Sequence, residues 1–584
     1  MGALFLIRDD DPRLAAPALA RAESQFALHG FRDTTTHALP GWRLLHAPYV
    51  FSGPETLLER GDDLVAVAGT LTYDGMIGRP ALAALLAGAE LPRIDWSRIA
   101  GQFVALVRKG GRTFLFTDYF GAFQIYHDVD RRLFSTSLLA AAKALPRLRF
   151  DTQGIYEYAF NIFPTGDDSV FAELKRLGPG HVAELTAQGV QLHDAPKPLP
   201  ETTSAMPLAE RLVVHRDRLM AVVGAHVRPF GDNVHAPLSG GLDSRLLLAA
   251  LRAQGCRPQI YVYGSPGSED VRIAKAIGAA EGFHVEWIEK AAHRRIAPEE
   301  FAEQVARNFQ ECDAIPNYGG LFDNGGNEAA RKRLHAGGAL AASGGCGEVY
   351  RDFFFLRDRP TTARAVARSF YARYARGDVT GAFDEGRFLG AIEDKMLAAL
   401  GRPGDRARLP RVVIEQLYPR VRCRAFFGRE MSLVAREGAY LMPFLDHNLV
   451  QETMTLPIAL KQAGTFEAAL LNAIDPVLAR QPSAYGHDFT TPPSARHRLS
   501  EWSTRVRPAW LRQRSYEIQR RLRPMRDDHA GLLSPDYMGQ VIDLEMPAMR
   551  PYFHVDRIAD SGLWQRLACL QYLAEHLGSR LVPA

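Results

Sequence analysis

The residues best suited to chemistry lie together in "LSGGLDS", Leu238 to Ser244, between the apolar run "NVHAPL" and the leucine-rich "RLLLAALRAQG". This pattern predicts a strand ending at Leu238, a turn, and a helix closed at Gly255. Backbone N–H groups at such a turn form an anion-binding nest, and the helix dipole favours negative charge there. Gly240 and Gly241 let phosphate oxygens approach without a Cβ in the way, while Ser239 and Ser244 offer hydroxyl donors. Asp243 repels phosphate directly, so its natural role is as a ligand to Mg²⁺, a hard cation that bridges carboxylate and phosphate oxygens. A lone pair of glycines is often only a structural turn, but the full hexapeptide between strand and helix is far more specific. No GK[ST] follows, so this is not a Walker A loop.

The elements around the turn alternate. "PQIYVYGS" and "HVEWIE" read as strands, and "SEDVRIAKAIGAAEG" between them as a helix, which implies a parallel sheet covered by helices. Upstream, "LVAVAGTLTYDG", "GQFVALVRKGGRTFLFTDYFG" and "FQIYHDVDRRLFSTS" read as strands joined by hairpins, followed by a helix at "LLAAAKAL". The chain of 584 residues exceeds one hydrophobic core. The expected division is an antiparallel α+β domain over 1–195, a linker over 196–207 rich in proline and small polar residues, and an α/β domain over 208–584 whose later part is mostly helical.

Composition narrows the class. A net charge of +4 spread over this length does not indicate a nucleic-acid partner. The 5 cysteines are scattered, without a CxxC pair, so neither a disulfide framework nor a zinc site is expected. No apolar run is long enough to cross a bilayer, and the start "MGALFLIRDDDPR" is unlike a secretory signal; a cytoplasmic chain with no membrane or nucleic-acid partner is expected. The arginine-dense Arg496–Arg526 reads as a solvated helical face with two buried tryptophans, or as a docking surface for an acidic peptide or carrier.

The hexapeptide resembles the pyrophosphate loop of the ATP pyrophosphatases, which cleave ATP to AMP and pyrophosphate while activating a carbon as its adenylate. Four further stretches are similar to the asparagine synthetase family: "IAGQFVALVRKGGRTFLFTDYFGAFQIYH", with Asp118, Gly121 and Tyr126 in the family's places; "LFSTSLLAAAKAL"; "FPTGDDSVFAELKRLGPGHVAEL", with Gly178, Pro179 and Gly180 at its turn; and the segment holding Pro443, Phe444, Leu445 and Asp446. The resemblance implies an α/β chain: an Ntn-type αββα antiparallel sandwich of glutaminase type, then a parallel-sheet PP-loop synthetase domain of the adenine nucleotide α-hydrolase kind. By position it implies that Leu238 and Tyr263 line an adenosine site, that Ser343 and Gly344 touch the nucleotide from the facing loop, that Asp270 lies near the ribose or substrate, and that the cofactors are ATP and Mg²⁺.

Three departures qualify this. Glutamine hydrolysis by this family needs cysteine directly after the initiator methionine; here Gly2 and Ala3 follow, and Ala68 stands in place of an asparagine, so no glutaminase activity is expected. In "SGGCGEVYRDFF" the family's second magnesium aspartate is absent, and Glu348 is the carboxylate in register, with Asp352 beyond it. Glu348 is therefore either the catalytic metal ligand partnering Asp243 or a leftover surface acid. A family lysine near Phe489 is also missing, with Gly486 nearest in register, and Arg351 or an arginine of the basic segment is the available substitute. His487 beside it is expected at the surface.

Relatives lacking the cysteine include β-lactam synthetases and lasso peptide macrolactam synthetases. The expectation is an ATP-dependent ligase that adenylates a small-molecule or peptide carboxylate for attack by an amine, with a precursor peptide or leader-binding protein as partner. The alternatives are an ammonia-using amidating enzyme and a catalytically retired ATP-binding scaffold.

Overall fold

The computed structural model describes residues 2–317, 320–527 and 529–582. Two antiparallel sheets occupy the first part of the chain. One has the order Leu174–Arg176, Tyr126–Asp128, Leu133–Ser135, Ala3–Arg8, Trp42–Ala47, Thr35–Leu39. The other runs Gly189–Asp194, His181–Thr186, Arg112–Thr117, Ile99–Lys109, Asp63–Tyr73, Leu57–Arg60, with Met76–Ile77 paired to Asp63–Tyr73.

Alternation along the long central strands explains why the sheets stack. Leu64, Ala66 and Ala68 share a core with Leu4, Leu6 and the helix Pro12–Leu28, and Val104 and Leu106 join them from the neighbouring strand. Val65, Val67, Phe103, Ala105 and Val107 instead meet Leu82, Leu85 and Leu86 of the helix Arg79–Gly88. A strand apolar on both faces must be covered on both. The result is helix, sheet, sheet, helix.

The second part is built on five parallel strands in the order Val285–Ile288, Gln259–Tyr263, Val234–Pro237, Leu340–Ala342, Tyr440–Leu441. The winding reverses between Val234–Pro237 and Leu340–Ala342. In open parallel sheets the crevice at the carboxyl ends of such a pair is where ligands bind. The helix Leu242–Ala253 is buried along Leu246–Leu251, as its run of leucines and alanines demands.

The two parts are closely joined. Asp313 accepts hydrogen bonds from Ser137 Oγ (2.7 Å) and from the N–H groups of Leu138 (2.7 Å) and Leu139 (3.0 Å), capping the helix Leu138–Ala144 from across the interface. Burial raises this carboxyl, but the His29 hydrogen bond and Arg429 outweigh burial and hold it below the carboxylate range. Residues 195–207 form no regular element, yet Leu199 is buried and the Ser204 N–H donates to Thr455 O. The helix Ser561–Leu577 returns to the first part, where Arg566 Nε donates to Ala159 O.

The arginine-dense segment forms the helices Ala495–Val506 and Ala509–Leu522. Its tryptophans are not buried, contrary to expectation: Trp502 is 55% and Trp510 57% exposed. Helical spacing explains this, because His497, Ser500, Glu501 and Thr504 share the face turned inward onto a cavity and Trp502 falls on the opposite side. Among the described residues no helix is long and apolar enough to cross a membrane.

Candidate functional site

The site forms where the chain leaves Val234–Pro237. The Leu238 N–H donates to Tyr261 O (2.8 Å), which fixes the end of the strand against its neighbour. The turn then runs Ser239 to Gly241, and the helix starts at Leu242 with Gly241 at its N-cap. Each N–H of the turn already has a side-chain acceptor. Ser239 N donates to Ser244 Oγ (3.0 Å), Gly240 N to Asp270 Oδ1 (2.8 Å) and Gly241 N to Ser239 Oγ (3.2 Å). Asp270, expected near the ribose or substrate, thus places an anionic oxygen on the nest itself. Ser239 and Ser244 also bond each other through their hydroxyls (3.0 Å), so neither stands open.

The facing loop comes from Leu340–Ala342 and leads through Ser343 to a 3₁₀ turn at Gly347–Tyr350. Ser343 N donates to Leu441 O (2.9 Å), and Ser343 Oγ accepts from Gly345 N (3.0 Å). This loop touches the Ser239–Ser244 turn directly. A Cβ on Gly344 would lie 3.0 Å from the Asp243 carbonyl carbon and from Ser244 N, and one on Gly347 would lie 2.4 Å from Asp243 Cγ. Glycine at both positions is what allows this approach. Tyr263 stands at the end of the adjacent strand with Lys290 Nζ 4.0 Å over its ring.

The turn and the facing loop meet on one guanidinium. Arg351 Nη2 lies 2.6 Å from both Asp243 oxygens and 3.8 Å from Glu348 Oε1. Its Nε is 3.3 Å from Glu467 Oε2, and its Nη1 donates to the Tyr485 hydroxyl at 3.1 Å. Glu348 also accepts from the Tyr418 hydroxyl (2.5 Å). Burial raises the Asp243 carboxyl, offset in part by Arg351. Burial and then the Asp243 charge push Glu467 well above the carboxylate range. Burial opposes the charge on Arg351, but Asp243 and Glu467 outweigh burial and hold it above its usual range.

Asp243 and Glu348, proposed as a metal pair from sequence, are therefore brought to one point, and of the candidate substitutes for the missing lysine it is Arg351 that stands there. Asp352 lines the same cavity but is paired with Arg411 (2.6 Å) and Arg505 (3.0 Å). Among the described residues no three His, Cys, Asp or Glu side chains are arranged to hold a metal. Nucleotide-bound magnesium takes only one or two carboxylates, with phosphate oxygens and water supplying the rest. Asp243 and Glu348 offer carboxylate oxygens beside one guanidinium, and this oxygen donor set fits such an ion.

Sequence reasoning missed Glu467, on the helix Thr465–Ile474, and Tyr418, in the π-helical stretch Tyr418–Phe427. Neither carries a local signature; a π-helical stretch is itself a common mark of a functional site, visible only once folded. His487 is not a simple surface residue, since it lines a cavity of about 550 Å³ that opens against Leu242, Glu348, Arg351 and Tyr485. In the first part of the chain, Gly2 is hemmed in: a Cβ there would lie 2.4 Å from Ala47 O and 3.2 Å from His46 Nε2. Ala68 is fully buried opposite Val104.

No family model and no curated protein matches the chain. Among solved structures, glutamine phosphoribosylpyrophosphate amidotransferase from B. subtilis, complexed with ADP and GMP, is 11% identical with a TM-score of 0.24, covering 49% of this chain and 66% of that one. An allosteric regulatory enzyme of purine biosynthesis is 13% identical with a TM-score of 0.23, covering 49% and 65% respectively. The chain thus spans just under two thirds of each of these, and likeness this weak carries no argument about activity.

Proposed function

We propose that this chain is an ATP-dependent amide-bond-forming ligase that adenylates a carboxylate, releasing pyrophosphate, and presents it to an amine without glutaminase activity. The observation that carries the reading is the direct contact between the Ser239–Ser244 turn and the facing loop at the sheet's reversal point, with Asp243 and Glu348 meeting on Arg351 beside a cavity.

In this reading the turn's N–H groups exchange their serine and Asp270 acceptors for phosphate oxygens. Asp243 and Glu348 hold Mg²⁺, which supplies charge neutralisation of the phosphates when bound. Arg351, released from Asp243, places its guanidinium by the departing pyrophosphate and takes the role of the missing lysine. The cavity of about 550 Å³ is large enough for a peptide terminus or a drug-sized acid. Holding acid and amine together there supplies much of the rate through proximity. The absence of glutaminase activity is supported by Gly2, where no side chain fits. A peptide carboxylate closed into a lactam or macrolactam is the substrate class this reading favours.

A specific observation favours a second reading. All three N–H groups of the turn, and Asp243, already have partners within the chain, as in an ATP-binding scaffold without chemistry. Measuring AMP and pyrophosphate with panels of acids and amines, with and without ammonium, separates these. Pyrophosphate with an amine supports the ligase, and pyrophosphate only with ammonium supports an amidating enzyme. ATP binding with no AMP from any substrate supports the scaffold.

A further inference from the structure

Charged side chains line the cavity in three groups. One is the Asp243 side, represented by Glu348 and Arg351. A second is Asp352 and Glu501, already paired with Arg411 and Arg505. The third is Arg373 and Arg422, in a cavity that Asn161 from the helix Thr152–Asn161 of the first part also lines. Among the described residues neither Arg373 nor Arg422 has a carboxylate partner. The Arg373 side chain reaches only Phe370 O (3.0 Å). Arg422 rests on aromatic faces, 3.7 Å from the Phe426 centroid and 5.4 Å from that of Phe163, and its Nε makes no hydrogen bond.

The two guanidiniums line the same cavity as Tyr371, whose phenol burial pushes up to about 12 against the opposing charges of Arg422 and Arg373. Asn161 is only 4% exposed, yet among the described residues neither its amide nitrogen nor its oxygen has a hydrogen-bond partner. Arg373 is exposed and Arg422 half-buried, so both charges are open to a ligand, whereas the buried, unsatisfied Asn161 amide is costly unless a ligand completes it. Arginine pairs suit a planar carboxylate, which accepts from both forks, with an amide N–H as a third donor. Around them the walls are aromatic: Phe160, Phe353, Phe355, Phe370 and Phe489.

We propose that Asn161, Arg373 and Arg422 form a carboxylate-recognition subsite, so that the cavity takes a molecule with an aromatic or aliphatic body and a free carboxylate distinct from any carboxyl activated at the phosphate turn. The proposal rests on the ligase reading only for the existence of that second, reacting carboxyl; recognition of the anion stands on these side chains alone.

The test is isothermal titration of the full chain, without nucleotide, with N-acetyl-L-phenylalanine and with its uncharged amide. The acid should bind at least about tenfold more tightly than the amide, as expected for charge-assisted contacts. In the double variant R373Q/R422Q the two probes should become equal, while Arg257→Gln, which does not line the cavity, should keep the full preference. Equal binding of acid and amide to the unaltered chain, binding of neither, or a preference that survives the double substitution would overturn the subsite. Loss of the ligase reading shows differently, as absent AMP formation with the preference for the acid intact.

Discussion

Arg351 closes over Asp243 with one guanidinium nitrogen 2.6 Å from each carboxylate oxygen. The arginine comes from the facing loop and the aspartate from the first turn of the phosphate-loop helix, so this contact latches the two halves of the crevice together. Glu467 and Glu348 crowd the same guanidinium at 3.3 and 3.8 Å, so it stands among three acids.

Replacing Arg351 with methionine leaves those acids facing one another. Breaking a fully buried pair costs about 3–5 kcal/mol. With both side chains 22% exposed, a loss nearer about 2 kcal/mol is expected. Urea denaturation reads it, and millimolar Mg²⁺ should restore part of the loss in this variant more than in the unaltered chain. Unchanged stability would remove the latch.

His215 sets an acid limit on stability. Its ring lies 4.7 Å from Phe466 and 5.6 Å from Tyr350, beside the Glu467 helix. Burial, with Arg211 and Lys461 adding to it, lowers its pKa from 6.5 to about 3. Below 6.5 the unfolded chain takes up a proton that the folded chain refuses until about pH 3. Stability therefore falls as pH drops through that window, by up to about 1.4 kcal/mol per unit for each such histidine. Between pH 7 and pH 5, His215→Leu should lose about 2 kcal/mol less than the unaltered chain. Equal losses would contradict it.

Gly2→Cys is expected to yield no glutamate from glutamine and to lower stability by about 1–3 kcal/mol, because its Cβ would lie 2.4 Å from the Ala47 carbonyl oxygen. Thermal unfolding and a glutamate assay check the two halves. Glutamate release would show that this position still accommodates a nucleophile.

Gly347→Ala probes the contact between the loops. Its methyl would sit 2.4 Å from Asp243 Cγ, so either the carboxylate or the facing loop must shift. Nucleotide affinity should drop by about tenfold or more, the cost of a misplaced charged contact, with circular dichroism unchanged. Unaltered affinity would mean that Asp243 does not act from the position seen here.

The Ser239–Ser244 turn was legible in the sequence because its pattern is local: strand, glycines, aspartate and helix follow one another within a dozen residues. The hairpins of the first part were legible for the same reason, since Gly110 and Gly111 join strands whose alternation is plain. Glu467, Tyr418, Arg373 and Asn161 were not legible. Each is one unremarkable residue in a helical or turn segment, and only tertiary packing carries it to the crevice. The tryptophans were misjudged because apolar character argues for burial, whereas Trp502 sits on the face its helix turns to solvent. The Arg351–Asp243 pair was half visible: the sequence showed that a cation was missing and offered Arg351 among several arginines, but the choice needed the fold.

The central claim is that the Ser239–Ser244 turn grips nucleotide phosphates with Asp243 holding magnesium against them. Titration of ATP by calorimetry, with Mg²⁺ and with EDTA, on the unaltered chain and on Asp243→Asn, tests it most directly. The account predicts binding that requires Mg²⁺ and that Asp243→Asn weakens by at least about tenfold. Absence of ATP binding, or binding indifferent to both the metal and the substitution, would contradict it.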